Sequence, residues 1–257
     1  MITFDLDKQL SGHVFPFLLV FTRLGATMTL FPGIGESFVP MRVRLLFALL
    51  ISLLVYPILT PQIPPVPQSI AELAKLVAME ALVGLFFGSL LRLLLGTVET
   101  TGAILSVQIG LSNAMILNPA LASQSALPGA FLVMAAVTLL FVTGLDHMLL
   151  RGMIDTYAVF PPGVALPPGD VVQSYTHLTS QSFAVGVEIA APFLIIGLLL
   201  YVVVGFIQRL MPQVQLFMVM LPVEIAGGLF LFAATVGVML SVWSRYFDEA
   251  VGDFLAR

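Results

Sequence analysis

The sequence predicts an all-α integral membrane protein built from long, kinked helical hairpins, and three observations lead there. Of its 257 residues, 59% are hydrophobic and 9% charged, with a mean hydropathy of +1.08, whereas soluble domains average about a quarter charged residues. The apolar residues fall in continuous runs rather than alternating, which favours helices over a transmembrane barrel. Prolines and glycines interrupt those runs and bend helices where they fall. The same composition excludes several functions. A net charge of −4 leaves no basic footprint for nucleic acid. With no cysteine, there is no thiol catalyst, disulfide framework or thiolate metal site. Asp5, Asp7 and Lys8 stand where a basic leader would begin, so the first apolar segment is expected to stay in the mature protein.

Residues 10–32 form the first predicted span, interrupted by His13 and Arg23; a charge at that depth must snorkel or face protein. Residues 31–44 carry Pro32, Gly33, Gly35, Pro40, Arg42 and Arg44, and read as a basic turn. A second, shorter run covers 45–60, and the proline-rich 61–68 connects it stiffly to a third helix over 71–95. That helix carries Gly84-x-x-x-Gly88, a spacing that permits close backbone approach. Residues 129–145 are a fourth apolar run. The segment from Asp146 to Gln181 reads as the longest polar loop. Residues 183–207 and 214–243 read as a final hairpin, turned at Arg209, Pro212 and Gln213, with Glu188 and Glu224 inside its helices. Arg245 to Arg257 reads as an amphipathic tail.

Between the third and fourth runs lies the stretch around which the chain is organised, about 106–126. It carries Gln108, Gly110, Ser112, Asn113, Met115, Ile116, Leu117, Asn118, Pro119 and Gln124. Its first part is compatible with a helix. Asn118-Pro119 turns the backbone away from one, because proline disfavours the α region for its predecessor. Polar, non-helical backbone at membrane depth is stable only inside protein or along a water-filled path. Two readings stay open: a solvated loop between spans, or a segment that lines or closes a pore.

Basic residues in short loops place Arg42 and Arg44, Arg92 and Arg209 on the cytoplasmic side, with 61–68 and 146–181 outside. Six crossings satisfy this if 98–126 does not cross fully, and both termini then face outward. No zinc-protease, nucleophile-elbow or phosphate-loop motif appears, so no catalytic residue, metal or cofactor is expected. Asp146-His147 reads as a solvated helix end with an acid–base pair as the sharper alternative. Glu188 and Glu224 read as partner-facing carboxyls, with a proton relay as the alternative.

The order of these features resembles the FliR family of flagellar biosynthetic membrane proteins, whose counterparts in virulence secretion are the T subunits of type III export apparatus. The resemblance spans nearly the whole chain. It rests on Arg23, Pro32 and Val39-Pro40-Met41-Arg42-Val43-Arg44, on Gly102 with Gln108-x-Gly110-Leu111-Ser112 and Asn118-Pro119, and on Ala191-Pro192, Arg209-Leu-Met-Pro212-Gln213, Phe217 and Leu221-Pro222. The chain departs from the family where Asn118 replaces an acidic residue, where Gly144-Leu-Asp146-His147 replaces Gly-His, and where Glu224 lacks a nearby lysine. The resemblance implies a multi-subunit helical export gate shared with FliP-like and FliQ-like subunits, next to FlhB-like and FlhA-like proteins. Unfolded flagellar proteins would pass through it across the bacterial inner membrane. It implies a FliP-like part over 1–180 and a FliQ-like hairpin and tail over 181–257, with the central stretch as a plug. It also implies partner contacts at Arg209, Pro212 and Gln213, and buried or interface roles for Arg23, Glu188 and Glu224. Set against it are a virulence T subunit and, as a different class, a secondary transporter or channel. A transporter would show two similar halves with paired breaks, which do not align here.

Overall fold

A computed structural model describes residues 6–36, 38–112, 127–164, 168–211 and 216–256. Among them the secondary structure is helical: α1 (Leu6–Leu30), α2 (Met41–Leu59) followed by a 3-10 turn (Thr60–Gln62), α3 (Ile70–Gln108), α4 (Leu127–Val142), α5 (Leu145–Val159), α6 (Pro168–Leu210) and α7 (Leu216–Ala256). Among the described residues five helices are long and apolar enough to cross a membrane, or six crossings if α4 and α5 count as one bent span. That agrees with the six runs read from the sequence.

The ends of the elements differ from expectation. Helices α3, α6 and α7 hold 39, 43 and 41 residues, where about 20 suffice for a span. The expected outer loop 146–181 is largely α5 and the start of α6. The expected tail is the last third of α7. In both places the polar residues cover one side of a helix whose other side is buried. Leu149, Met153 and Tyr157 form one such stripe, and Trp243, Phe247 and Val251 another. Arg42 and Arg44 belong to the first turn of α2 rather than to the turn before it. The chain reverses earlier, at Gly33, whose φ of 84° suits glycine. Prolines 16, 57, 192 and 222 all lie inside helices, each removing one backbone bond, as membrane helices tolerate.

The chain divides into two compact units. The first comprises residues 1–93, 144–178 and 250–257. In it α1 packs on α2, with Phe17 edge-on to Tyr56 at 5.9 Å. It also packs on α3, through the two glycines of the small-residue spacing. A Cβ on Gly84 would collide with the Arg23 carbonyl, and one on Gly88 would lie 2.9 Å from that of Thr27. The Thr27 hydroxyl donates to the Gly84 carbonyl at 3.0 Å, a bond possible only at this close approach.

The second unit comprises residues 94–143 and 179–249. Here the C-terminal part of α3 is surrounded by α4, α6 and α7. Gly102 meets Gly129 of α4 backbone to backbone. The Thr101 hydroxyl donates to the Gly186 carbonyl of α6 at 3.0 Å. The Trp243 indole of α7 donates to the Leu94 carbonyl at 3.1 Å. Phe131 of α4 is edge-on to Phe232 of α7 at 5.7 Å.

Candidate functional site

The central stretch leaves α3 at its C-terminal end, and that root is built entirely within the second unit. Helix α3 ends at Gln108. Gly110 follows with φ of 78°, a left-handed turn for which glycine is the natural residue. Its N–H still bonds the Val107 carbonyl at 3.1 Å. A first break thus comes at Gly110; the one expected at Asn118-Pro119 lies outside the described residues. Helical backbone resumes at Leu111 and Ser112. Asn113, Met115, Ile116, Leu117, Asn118, Pro119 and Gln124 lie outside the described residues.

Three residues of the C-terminal helices hold this root. Gly197 of α6 leaves room for the Gln108 side chain, whose amide oxygen occupies the place of a Cβ. Gly228 of α7 lies under Ile109; a Cβ there would come within 2.8 Å of the isoleucine. Glu224 of α7 covers Gly110, its Cδ and Oε2 each 3.1 Å from where a Cβ on residue 110 would stand. The carboxyl is 8% exposed and its Oε1 accepts the Tyr201 hydroxyl of α6 at 3.0 Å. A side chain at Gly228 would press on both the side chain and the backbone of Ile109, whereas one at Gly197 would displace the Gln108 amide.

The other predicted residues are placed separately. Arg23 is 1% exposed and faces protein. Its Nε and NH2 donate to the two Glu80 oxygens at 2.6 and 3.0 Å. NH1 donates to the Thr156 carbonyl at 3.2 Å and NH2 also to that of Phe160 at 2.9 Å, and the guanidinium stacks 3.9 Å over the Tyr157 ring. One cation thus ties α1 to α3, α5 and the residue after α5. Sequence reasoning missed Glu80, although a signal was present: it stands four and eight residues before Gly84 and Gly88, on the same helix face. Glu188 is exposed, not interior, because it lies on the outward side of α6. The two hairpin carboxyls are therefore not a connected relay. Arg209 is exposed in the last turn of α6; Pro212 and Gln213 lie outside the described residues. Asp146 and His147 pair at 3.0 Å with the imidazole 84% exposed, a solvated helix start after the left-handed Gly144. Arg92 pairs with Glu36, so its charge is balanced within the first unit. Among the described residues no three His, Asp or Glu stand together as a metal centre.

Residues 14–250 match the family described as bacterial export proteins, family 1. The chain is 35% identical over 242 residues to the flagellar biosynthetic protein FliR of Caulobacter vibrioides, covering 94% of this chain and 96% of that one. It is 27% identical over 244 residues to FliR of Bacillus subtilis, covering 93% of each. It is 28% identical over 178 residues to the Yop proteins translocation protein T of Yersinia pestis, covering 68% of each.

Proposed function

The chain belongs to family 1 of the bacterial export proteins and is a multi-pass inner-membrane component of the flagellar type III protein export gate; within that gate we propose that it forms part of the channel wall and closes the channel at rest with its central stretch. The observation that carries this reading is the root of the stretch. A polar segment leaves α3 at a left-handed glycine that is braced from two further helices. A braced root fixes where the segment begins while leaving the segment itself to bend across a path or withdraw from it. Its amides and hydroxyls suit a wet lumen, and Met115, Ile116 and Leu117 supply apolar contact for a seal.

The partners proposed are FliP-like and FliQ-like subunits around the channel, FlhB-like and FlhA-like proteins at its mouth, and unfolded flagellar proteins as cargo. Supporting this, α2 and α6 present large apolar side chains outward, among them Leu54, Ile58, Leu198, Leu199 and Phe206. Such a surface needs lipid or neighbouring subunits to cover it. In this reading 1–180 corresponds in build to FliP and 181–257 to FliQ. The flagellar branch is favoured over the virulence T subunit because the FliR relatives match over nearly the whole chain.

Two measurements test the proposal. Expressed without partners, the chain should be degraded or aggregate; expressed with FliP-like and FliQ-like proteins, it should co-migrate with them. A stable, monodisperse monomer that ignores both would contradict the assembly. Shortening 112–122 should leave the purified complex intact but raise its ion leak in liposomes. An intact complex that leaks no more than its parent would refute closure by this stretch.

A further inference from the structure

The turn between α1 and α2 walls an open cleft of about 450 Å³ in the first unit, lined by Thr29, Leu30, Gly35, Glu36, Arg44 and Arg92. Small-molecule sites commonly measure about 300–1,000 Å³. The wall is tightly built. Gly33 reverses the chain with φ of 84°, the Gly35 N–H bonds the Phe31 carbonyl at 2.6 Å, and a Cβ on Gly35 would lie 2.7 Å from the Thr29 carbonyl oxygen. The two arginines of the lining differ in what holds them. Arg92 pairs with Glu36, the carboxylate that lines the cleft with it. Arg44 is half-buried and is held by a backbone group, its NH2 donating to the Glu36 carbonyl. Its Nε is buried with no acceptor, and among the described residues no carboxylate pairs with it. A guanidinium is a planar fork of donors that matches the oxygens of a phosphate or carboxylate, so Arg44 is a cation that lacks its anion. Helix α2 starts at Met41 with no side-chain cap and no acidic residue in its first turn, which adds partial positive charge at the same place.

We propose that Arg44 and this cleft bind the phosphate of an anionic phospholipid headgroup, whose acyl chains lie along α2. The apolar part of the site is on the same helix. Val43, Leu46, Phe47, Leu50 and Leu54 recur at three- and four-residue spacing, the period of one helix side, and all are exposed. This stripe starts beside Arg44 and runs down the candidate span Met41–Gln62. A half-buried cation at the head of an exposed apolar stripe matches the two-part chemistry of a lipid, with phosphate at one end and hydrocarbon at the other. Free phosphate would use only the first part. Basic loops are expected on the cytoplasmic side, where anionic lipid attracts arginine. The lipid site is independent of whether the central stretch closes the channel.

The test uses the full chain, purified in a neutral detergent with whatever subunits accompany it and stripped of lipid. It is titrated with dioctanoyl phosphatidylglycerol, dioctanoyl phosphatidylcholine or inorganic phosphate, and native mass spectrometry follows what is bound. Phosphatidylglycerol should bind more tightly than phosphatidylcholine. Arg44→Gln should weaken phosphatidylglycerol about fivefold, the effect of one basic residue beside an anionic membrane surface. Arg151→Gln removes an exposed charge from α5 and should bind like the parent. Glu36→Gln removes the carboxylate that competes for the cations of the cleft. It should bind phosphatidylglycerol more tightly than the parent, a gain that damage to the fold would not produce. If Arg44→Gln is not recovered, Glu36→Gln decides alone. Phosphatidylglycerol binding that matches the parent's in both variants would overturn the proposal. Inorganic phosphate that displaces phosphatidylglycerol at equal concentration would also overturn it, leaving a site for a free anion. So would an Arg44→Gln chain that keeps its lipid but loses its accompanying subunits, which would give Arg44 to a neighbour's carboxylate instead.

Discussion

Arg23 is where a single side chain organises most of one unit. Four of its five N–H donors serve both oxygens of Glu80 and two backbone carbonyls, so the desolvation of the pair is offset by nearly complete hydrogen bonding. Removing one partner leaves an uncompensated buried charge, which costs about 3–5 kcal/mol. Glu80→Ala should therefore sharply lower the thermal midpoint or the recovered amount of the detergent-solubilised complex. Replacing both together, as Arg23→Met with Glu80→Leu, should recover much of the loss. An unchanged midpoint for Glu80→Ala would contradict the arrangement. The sequence announced half of this pair, since an arginine inside an apolar run demands a partner. The partner shares a helix face with Gly84 and Gly88, but that spacing alone does not say which helix packs on it; the contact with α1 does. Glu188 and Glu224 show the converse. Both looked interior because the run around them is apolar, but burial depends on which side of the helix faces a neighbour, and the neighbours of α6 and α7 are not written in their own composition.

At the level of helices, hydropathy located every long element but not its ends. A window of apolar residues marks the part of a helix that avoids water; it does not detect the amphipathic continuation, where one stripe is enough. That is why α5, the start of α6 and the end of α7 were read as loop and tail. The glycine spacing at Gly84 and Gly88 was legible and proved to be a packing seam. The more intimate contact of Gly102 with Gly129 was not, because its two residues lie on different helices. Gly102→Val should be severe. Ordinary overpacking costs about 1–3 kcal/mol, and here the obstacle is a facing backbone rather than a movable side chain. Gly96→Ala, with nothing within 4 Å of the added carbon, should be tolerated. Recovery of folded complex after gentle heating distinguishes the two, and equal recovery would contradict the seam. The site was legible in part. Gln108, Gly110 and Ser112 were marked by polarity within an apolar chain. Tyr201, Gly197 and Gly228 carry no such mark, because their contribution is space and one hydroxyl supplied from helices some ninety residues or more away.

As a whole molecule, the chain combines a cation-tied first unit, a glycine-packed second unit and a polar stretch launched from the second. Arg209, at the end of α6, is expected on the cytoplasmic side from the excess of basic residues found there. A cysteine at position 209, in this otherwise cysteine-free chain, should be labelled by an impermeant thiol reagent from the cytoplasmic side; labelling only from the other side would reverse the topology. The central claim is that cargo passes the central stretch. The most direct measurement places single cysteines through 113–124 and stalls an export substrate that carries its own cysteine in the gate. Mild oxidation should cross-link the stalled substrate to several of these positions. Cysteines at the outward-facing Leu53 and Leu54 of α2 should not cross-link. Cross-links confined to α2, or none at any position in 113–124 while the substrate is demonstrably held in the complex, would contradict the account.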